Sequence, residues 1–257
     1  MLKSITIDYI KNLKDKETPF ATLTAYDFIS AQILNEAKIP LILVGDSASM
    51  MIYGYDTTIP ISMEEMLLIV RAVSRASNYS LVVADMPFLS YQPSVEETIK
   101  NAGKLIKEGS AKAVKLEGGT HMFKNIQALT NMGVPVLGHV GLTPQSYHQM
   151  SGYKMQGKTS HEATKIINDA LSVQEAGAFG VVLECIPEPL ATQITQKLSI
   201  PTIGIGSGNT CDGQIQVFHD IVGLQKKSPP KHAMVYSNLY SRILSSVQKY
   251  KNSVETL

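Results

Sequence analysis

Short apolar runs alternate along the chain with longer stretches in which apolar residues recur every three or four positions. Brief runs carrying Val, Ile and Leu at successive positions fit strands covered on both faces, whereas the three-to-four spacing fits helices with one buried side. Strands are predicted in FATLTAYD (20–27), PLILVGDS (40–47), SLVVADMP (80–87), KAVKLEGG (112–119), PVLGHVGL (135–142), GVVLECI (180–186) and PTIGIGSG (201–208), and an eighth in HDIVGL (219–224). Helices fill the gaps. Ser62 with Glu65, Ser94 with Glu97 and Thr159 with Glu162 each spell a capping box, in which a hydroxyl accepts from the backbone three residues on and the glutamate reaches back. Gly109 and Gly177 stand where the second and third of these helices should stop. Further helices are expected over 28–38 and 187–198, and in the tail over 238–250.

Strand then helix, about eight times in roughly 225 residues, predicts a (β/α)8 TIM barrel of the α/β class ahead of an open doubly wound sheet. No linker or repeat interrupts the pattern. The reading is one barrel domain over 1–257, with an N-terminal helical segment at 1–18 and a C-terminal helical tail from about 225 to 257.

Such barrels build their sites at the C-terminal ends of the strands. In AVKLEGGTH (113–121), Lys115 and Glu117 lie two apart and share one face of the strand, while Val114 and Leu116 take the other. Asp46, Asp85 and Glu184 stand at other strand ends, and His139 lies on the fifth strand. Four carboxylates converging in a buried mouth would repel one another unless a cation sat among them. An all-oxygen donor set points to a hard dication, with Mg2+ the first choice. Lys115 adds a fixed positive charge for an anionic substrate. His139 is either a support for Lys115 or Glu117 or a proton carrier.

Other features read more plainly. Asp27 is expected to cap a helix. Gly204, Gly206 and Gly208 do not spell a dinucleotide motif and suit tight turns against a ligand. Cys185 should point away if Glu184 points in, and Met50, Met51, Met63 and Met66 read as packing. The polar, glycine-bearing connection 139–158 is long enough for a lid or binding loop.

Composition narrows the class. Lys plus Arg number 23 and Asp plus Glu 22, a net charge of +1, which gives no reason to expect nucleic acid or an anionic membrane as partner. The two cysteines, Cys185 and Cys211, form no CxxC pair, so neither a disulfide scaffold nor a zinc site is expected. The first twenty residues hold no long apolar run and read as neither signal peptide nor membrane span, so the expected compartment is the cytoplasm.

Taken in order, TAYDFISA, LVGDS, GYDTT, ADMPF, VKLEGG, GHVGLTPQS, LECIP, IGIGSG and CDGQI resemble the ketopantoate hydroxymethyltransferase family, from about residue 5 to about residue 224. The resemblance implies a (β/α)8 barrel that assembles as a homo-oligomer, commonly a decamer. It implies an enzyme of pantothenate and coenzyme A biosynthesis that uses Mg2+ and 5,10-methylenetetrahydrofolate to hydroxymethylate 3-methyl-2-oxobutanoate. Carried over by motif, Asp46, Asp85 and Glu117 would be the metal group, with Glu117 acting directly or through a water. Asp46, Ser47, Asp85, Lys115 and His139 would surround the keto acid, His139 on the Lys115 side, and Glu184 would be the catalytic base. The chain departs from the family pattern at Ala48-Ser49, Ser151 and Asn209, and follows it loosely after Leu224. The competing readings are a metal-dependent lyase or aldolase of the phosphoenolpyruvate mutase type, and a non-enzymatic barrel that binds a keto acid.

Overall fold

The computed structural model describes residues 4–256. Its strands are β1 (Phe20–Thr24), β2 (Leu41–Val44), β3 (Leu81–Asp85), β4 (Ala113–Glu117), β5 (Val136–Gly141), β6 (Gly180–Glu184), β7 (Thr202–Ile205) and β8 (Gly213–Gln216). They pair in parallel and close in sequence order into the barrel expected from the strand–helix alternation. The helices are α1 (Ile7–Asp15), α2 (Phe28–Glu36), α3 (Ala48–Met51), α4 (Met63–Ala76), α5 (Val95–Lys107), α6 (Phe123–Asn131), α7 (Ser160–Glu175), α8 (Glu188–Lys197), α9 (Phe218–Ile221) and α10 (Leu239–Glu255). The chain divides into two compact units, one ending at Ile215 and one beginning at Gln216.

The barrel interior changes character along the strands. Side chains alternate faces, so residues two apart share the interior. Leu41 and Leu43, Leu81 and Val83, Ala113, Leu137, Val182, Ile203 and Ile215 form one buried apolar cluster with Phe20. The same inward series then runs on into Asp85 on β3, Lys115 and Glu117 on β4, His139 on β5 and Glu184 on β6. Ile5 and Ile10 join the apolar cluster, with Ile7 and Leu13 packed against it. Each such aliphatic side chain withdrawn from water stabilises by about 1.5–3 kcal/mol. The fold is thus held at the end of the barrel opposite the polar residues. Of the helical segment expected at 1–18, residues 1–3 lie outside the described residues.

Capping follows the spelling in two of the three expected places. Ser62 Oγ accepts from Glu65 N at 3.2 Å and Glu65 Oε2 accepts from Ser62 N at 2.8 Å. Thr159 and Glu162 do the same at 3.3 and 3.1 Å. At Ser94 only the first half forms, because the Glu97 carboxylate pairs with Lys100, at 3.2 Å. Gly177 ends α7 with φ 92°, as expected, whereas the left-handed residue after α5 is Ser110, φ 62°, and not Gly109. Gly109 is small for another reason: a Cβ there would stand 2.5 Å from the Leu105 carbonyl oxygen.

The eighth strand differs from the expectation. HDIVGL (219–224) holds all of α9 but its first residue, together with the turn that follows it, and β8 is the earlier Gly213–Gln216. Two interleaved glutamines made this segment look like a loop. It closes the barrel because Asp212 O accepts from Phe20 N at 3.2 Å and Gln214 O accepts from Thr22 Oγ1 at 3.1 Å. Asp212 is itself anchored by Thr202 N at 2.8 Å and Lys14 Nζ at 3.0 Å. The unit from Gln216 onward holds α9 and α10, with Asn238 Oδ1 capping α10 through Ser241 N at 3.1 Å. No described helix is long and apolar enough to cross a membrane.

On β5, a Cβ at Gly138 would stand 2.3 Å from Val173 Cγ1 of α7. Gly138→Ala should therefore destabilise the barrel by about 1–3 kcal/mol through overpacking, measured by urea unfolding, and Val173→Ala on the same chain should recover part of the loss.

Candidate active site

The register of the sheet brings the polar side chains together. Asp85 pairs with Lys115 across β3 and β4, and Glu117 with His139 across β4 and β5. Glu184, the last residue of β6, sits opposite Gly141 of β5. Lys115 Nζ donates to Asp85 Oδ1 at 2.6 Å. The other oxygen, Asp85 Oδ2, accepts from the backbone N–H of Asp46 at 3.0 Å. Asp46 follows β2 in the Gly45-Asp46-Ser47 turn. That turn has no room for a side chain at Gly45, where a Cβ would lie 2.8 Å from Ser47 Oγ. Ser47 Oγ is hydrogen-bonded to the Tyr26 hydroxyl at 2.7 Å, which fixes the turn to the end of β1.

Across the mouth, His139 lies between two carboxylates. Its Nδ1 is 3.5 Å from Glu117 Oε1 and its Nε2 is 3.2 Å from Glu184 Oε2. Both are ion-pair distances, but neither contact is aligned as a hydrogen bond, and Glu117 Oε1 and both ring nitrogens are buried without a hydrogen-bond partner. Glu117 Oε2 accepts from the backbone N–H of Gln145 at 3.0 Å. The Tyr91 hydroxyl accepts from the backbone N–H of Glu117 at 3.1 Å and is 2.7 Å from Gln145 Oε1. Gln145 Nε2 in turn donates to Asp46 Oδ2 at 2.9 Å.

Burial sets the electrostatics. It pushes Asp46 well above the ordinary carboxylate range, and the neighbouring Asp85 and Glu117 charges push the same way, against Lys115 and Gln145. For Lys115 burial acts downward, but Asp85, Glu117 and Asp46 outweigh it and hold the ammonium above the ordinary lysine value. Burial and Lys115 pull His139 down, yet the facing Glu117 and Glu184 carboxylates raise it to about 9. The Tyr91 phenol is kept protonated by burial and by the Glu117 charge.

The donor set fits a hard dication. Among the described residues no three His, Cys, Asp or Glu side chains are grouped so as to enclose a metal by themselves. Magnesium does not need that: it takes one or two carboxylates and completes its sphere with water and substrate oxygens. Asp46 and Asp85, adjacent and buried, meet that demand, and Glu117 Oε1 is a buried carboxylate oxygen with no hydrogen-bond donor.

Several residues take plainer roles. Asp27 caps α2 through Ser30 N at 2.8 Å, as expected. The turn at Gly208 closes against protein: a Cβ there would meet Glu188 Cδ at 2.4 Å. The Glu188 side chain, not a ligand, therefore fills the space beside that glycine. Cys185 has φ 47° and a thiol that burial pushes up to about 12, consistent with packing. In the long connection, Pro144–Ser146 form a 3-10 turn, and the Tyr147 and Tyr153 rings meet at 5.0 Å. Burial, then the charges of Asp46 and Glu184, raise the Tyr153 phenol to about 12, which sets this loop residue within reach of the mouth's field. A side cavity of about 310 Å3 adjoins the mouth, lined by Glu117, Tyr91, Gln92, His121, Gln145 and Gln149 among others. Sequence reasoning missed Tyr91 and Gln145. Neither is charged: Gln145 lies inside GHVGLTPQS and Tyr91 three residues after ADMPF, and only those positions could have marked them.

Lys115→Met leaves Asp85 buried without its counter-charge. It should cost about 3–5 kcal/mol in unfolding free energy, and the double variant Lys115→Met/Asp85→Asn should lose less than the single one.

A sequence profile of the ketopantoate hydroxymethyltransferase family matches residues 4–257. The 3-methyl-2-oxobutanoate hydroxymethyltransferase of Geobacter sulfurreducens is 49% identical over 255 residues, 99% of this chain and 96% of that protein. The protein of the same name from Syntrophus aciditrophicus is 47% identical over 253 residues, 98% of this chain and 93% of its own length. Among solved structures, phosphonopyruvate hydrolase in complex with oxalate and Mg++ superposes with a TM-score of 0.64 at 12% identity, covering 98% of this chain and 87% of that one. A 2,3-dimethylmalate lyase of the PEP mutase/isocitrate lyase superfamily gives 0.62 at 14% identity, over 97% and 88%. At these identities the two structures attest the barrel scaffold alone.

Proposed function

The chain belongs to the ketopantoate hydroxymethyltransferase family, and from that membership we infer that it transfers a hydroxymethyl group from 5,10-methylenetetrahydrofolate to 3-methyl-2-oxobutanoate, giving ketopantoate. The observation that carries the reading to these residues is the Lys115–Asp85–Asp46 chain of contacts facing Glu184 across His139. We assign the buried mouth as the keto acid site, and the reaction to pantothenate biosynthesis in the cytoplasm. The two free cysteines accord with a reducing compartment.

Asp46 and Asp85 would hold Mg2+, with Glu117 beside them directly or through a water. When bound, the ion would supply Lewis-acid polarisation of the keto acid, making the neighbouring C–H more acidic. The protein's own groups do the rest. Lys115 spends one of its three donors on Asp85 and keeps the others for the negative charge of the substrate. Ser47, tied to Tyr26, offers a hydroxyl at the same turn. Glu184, partly exposed at the rim, takes the methine proton as general base. His139 Nε2, 3.2 Å from Glu184 Oε2, orients that carboxylate. The electron pair released forms the new C–C bond to the one-carbon unit. Both bonds from that carbon to folate nitrogen break, a water supplies the hydroxyl group, and the two nitrogens take up the proton held by Glu184 and the one left from the water, releasing tetrahydrofolate. The loop bearing Tyr147 and Tyr153 would cover the site and exclude bulk solvent during transfer.

A homo-oligomer is supported by apolar side chains left exposed on neighbouring helices: Ile29 and Ile33 of α2 are 61% and 50% exposed, and Leu68 of α4 is 62% exposed. Exposed apolar side chains on two helices packed together are the kind of surface that association covers.

In D2O with Mg2+ and 3-methyl-2-oxobutanoate, the methine signal of the keto acid should disappear from the proton NMR spectrum without folate. Glu184→Gln should slow that exchange by about 10^2–10^4-fold while keeping substrate binding. Asp85→Asn should instead raise the Mg2+ concentration needed. Wild-type exchange in Glu184→Gln would remove the assignment of the base. In light scattering, a monomeric wild type would remove the oligomer.

A further inference from the structure

Gln145 has no role in the chemistry above, yet it touches two of the carboxylates that define the mouth. It is buried, on the 3-10 turn that follows β5. Its side-chain amide cannot be turned round. Nε2 donates to the Met86 carbonyl oxygen at 2.9 Å, an atom that can only accept, and to Asp46 Oδ2 at 2.9 Å. Oε1 therefore faces the other way, where it accepts from the Tyr91 hydroxyl at 2.7 Å and from Gln92 Nε2 at 3.0 Å. Every hydrogen-bonding position of the amide is filled. The backbone is used as well, since Gln145 N donates to Glu117 Oε2 at 3.0 Å.

One residue thus holds Asp46 by its side chain and Glu117 by its main chain. The grip on Glu117 Oε2 leaves Oε1 beside His139 Nδ1 at 3.5 Å, buried and without a hydrogen-bond partner. The turn that aims Gln145 N is itself closed by Ser146 N on Thr143 O at 2.8 Å and Tyr147 N on Pro144 O at 3.1 Å. The same few residues begin the loop that carries Tyr147 and Tyr153. A buried glutamine is often just a satisfied packing residue. A packing residue, however, has no reason to place one side-chain donor and its backbone N–H on two different carboxylates of the mouth.

We propose that Gln145 is a positioning residue: oriented by Tyr91, it fixes Asp46 and Glu117 relative to each other and thereby sets the affinity of the site for a divalent cation. This rests on the metal-dependent reading of the mouth given above. Groups that hold the ligands of a metal, without touching it, change metal affinity by about 10–100-fold when removed.

The test is calorimetric titration of the full-length protein with MgCl2 in the presence of 3-methyl-2-oxobutanoate. Gln145→Met, similar in volume but unable to hydrogen-bond, should bind Mg2+ about 10–100-fold more weakly than wild type, with the far-UV spectrum of the folded protein retained. Tyr91→Phe should show a smaller loss of the same kind, and the double variant should lose less than the product of the two. Raising Mg2+ should restore methine exchange in Gln145→Met but not in Glu184→Gln. If wild type binds no Mg2+, the metal reading of the site falls and this proposal with it. If wild type binds and Gln145→Met binds equally well, only the role of Gln145 is overturned. Should Gln145→Met fail to fold, Tyr91→Phe decides, and unchanged Mg2+ affinity there overturns the proposal.

Discussion

Three buried carboxylates and a fourth at the rim share the mouth with a single ammonium group. Asp46, Asp85, Glu117 and Lys115 are each 5% exposed or less, so water cannot hold their charges apart. Removing charge from water costs several kcal/mol per ion even after relaxation, and like charges add to that. Four neighbouring donors are accordingly turned on carboxylates: Lys115 and the Asp46 amide on Asp85, the Gln145 side chain on Asp46, the Gln145 main chain on Glu117. His139 then lies between Glu117 and Glu184, the last pair that would otherwise face each other unrelieved. The strand register, the tight Gly45 turn and the 3-10 turn after β5 all serve this balance. A dication among the carboxylates would complete it.

Much of this was legible in the sequence because two periodicities coincide. The inward positions of a barrel strand recur every second residue, and the apolar residues of β2 to β6 obey that rule until the last one or two inward positions. Lys115 and Glu117 stand out because a parallel strand covered on both faces has no solvent to offer them. The eighth strand was misplaced for the same reason in reverse. Its pairing is carried by backbone groups and by Asp212, so Gln214 and Gln216 hide it, while the apolar HDIVGL stretch folds as a helical turn. Tyr91 and Gln145 carry no charge and lie in connections, where no periodicity predicts which way a side chain points. Their importance exists only in three dimensions.

The long connection after β5 is held at both ends by groups of the site. At its start Gln145 is bonded to Asp46 and Glu117. Further on, Gln156 N donates at 2.8 Å to the carbonyl of Cys185, the residue next to Glu184. Between these ties the chain is held by its own turns, with Met150 N donating to Ser146 O at 2.9 Å and Gly152 N to Tyr147 O at 3.0 Å. The connection and the mouth are thereby joined through backbone contacts at both ends, on Glu117 and next to Glu184.

The pairing of Asp85 with Lys115 and of Glu117 with His139 sets where this protein tolerates a change in length. Adding or deleting one residue within β4 turns Lys115 and Glu117 toward the covering helices and brings Leu116 into the mouth. An insertion between Tyr147 and Gln156 leaves every strand in register. Size differences among chains that keep this mouth should accumulate in that connection and stay out of the strands.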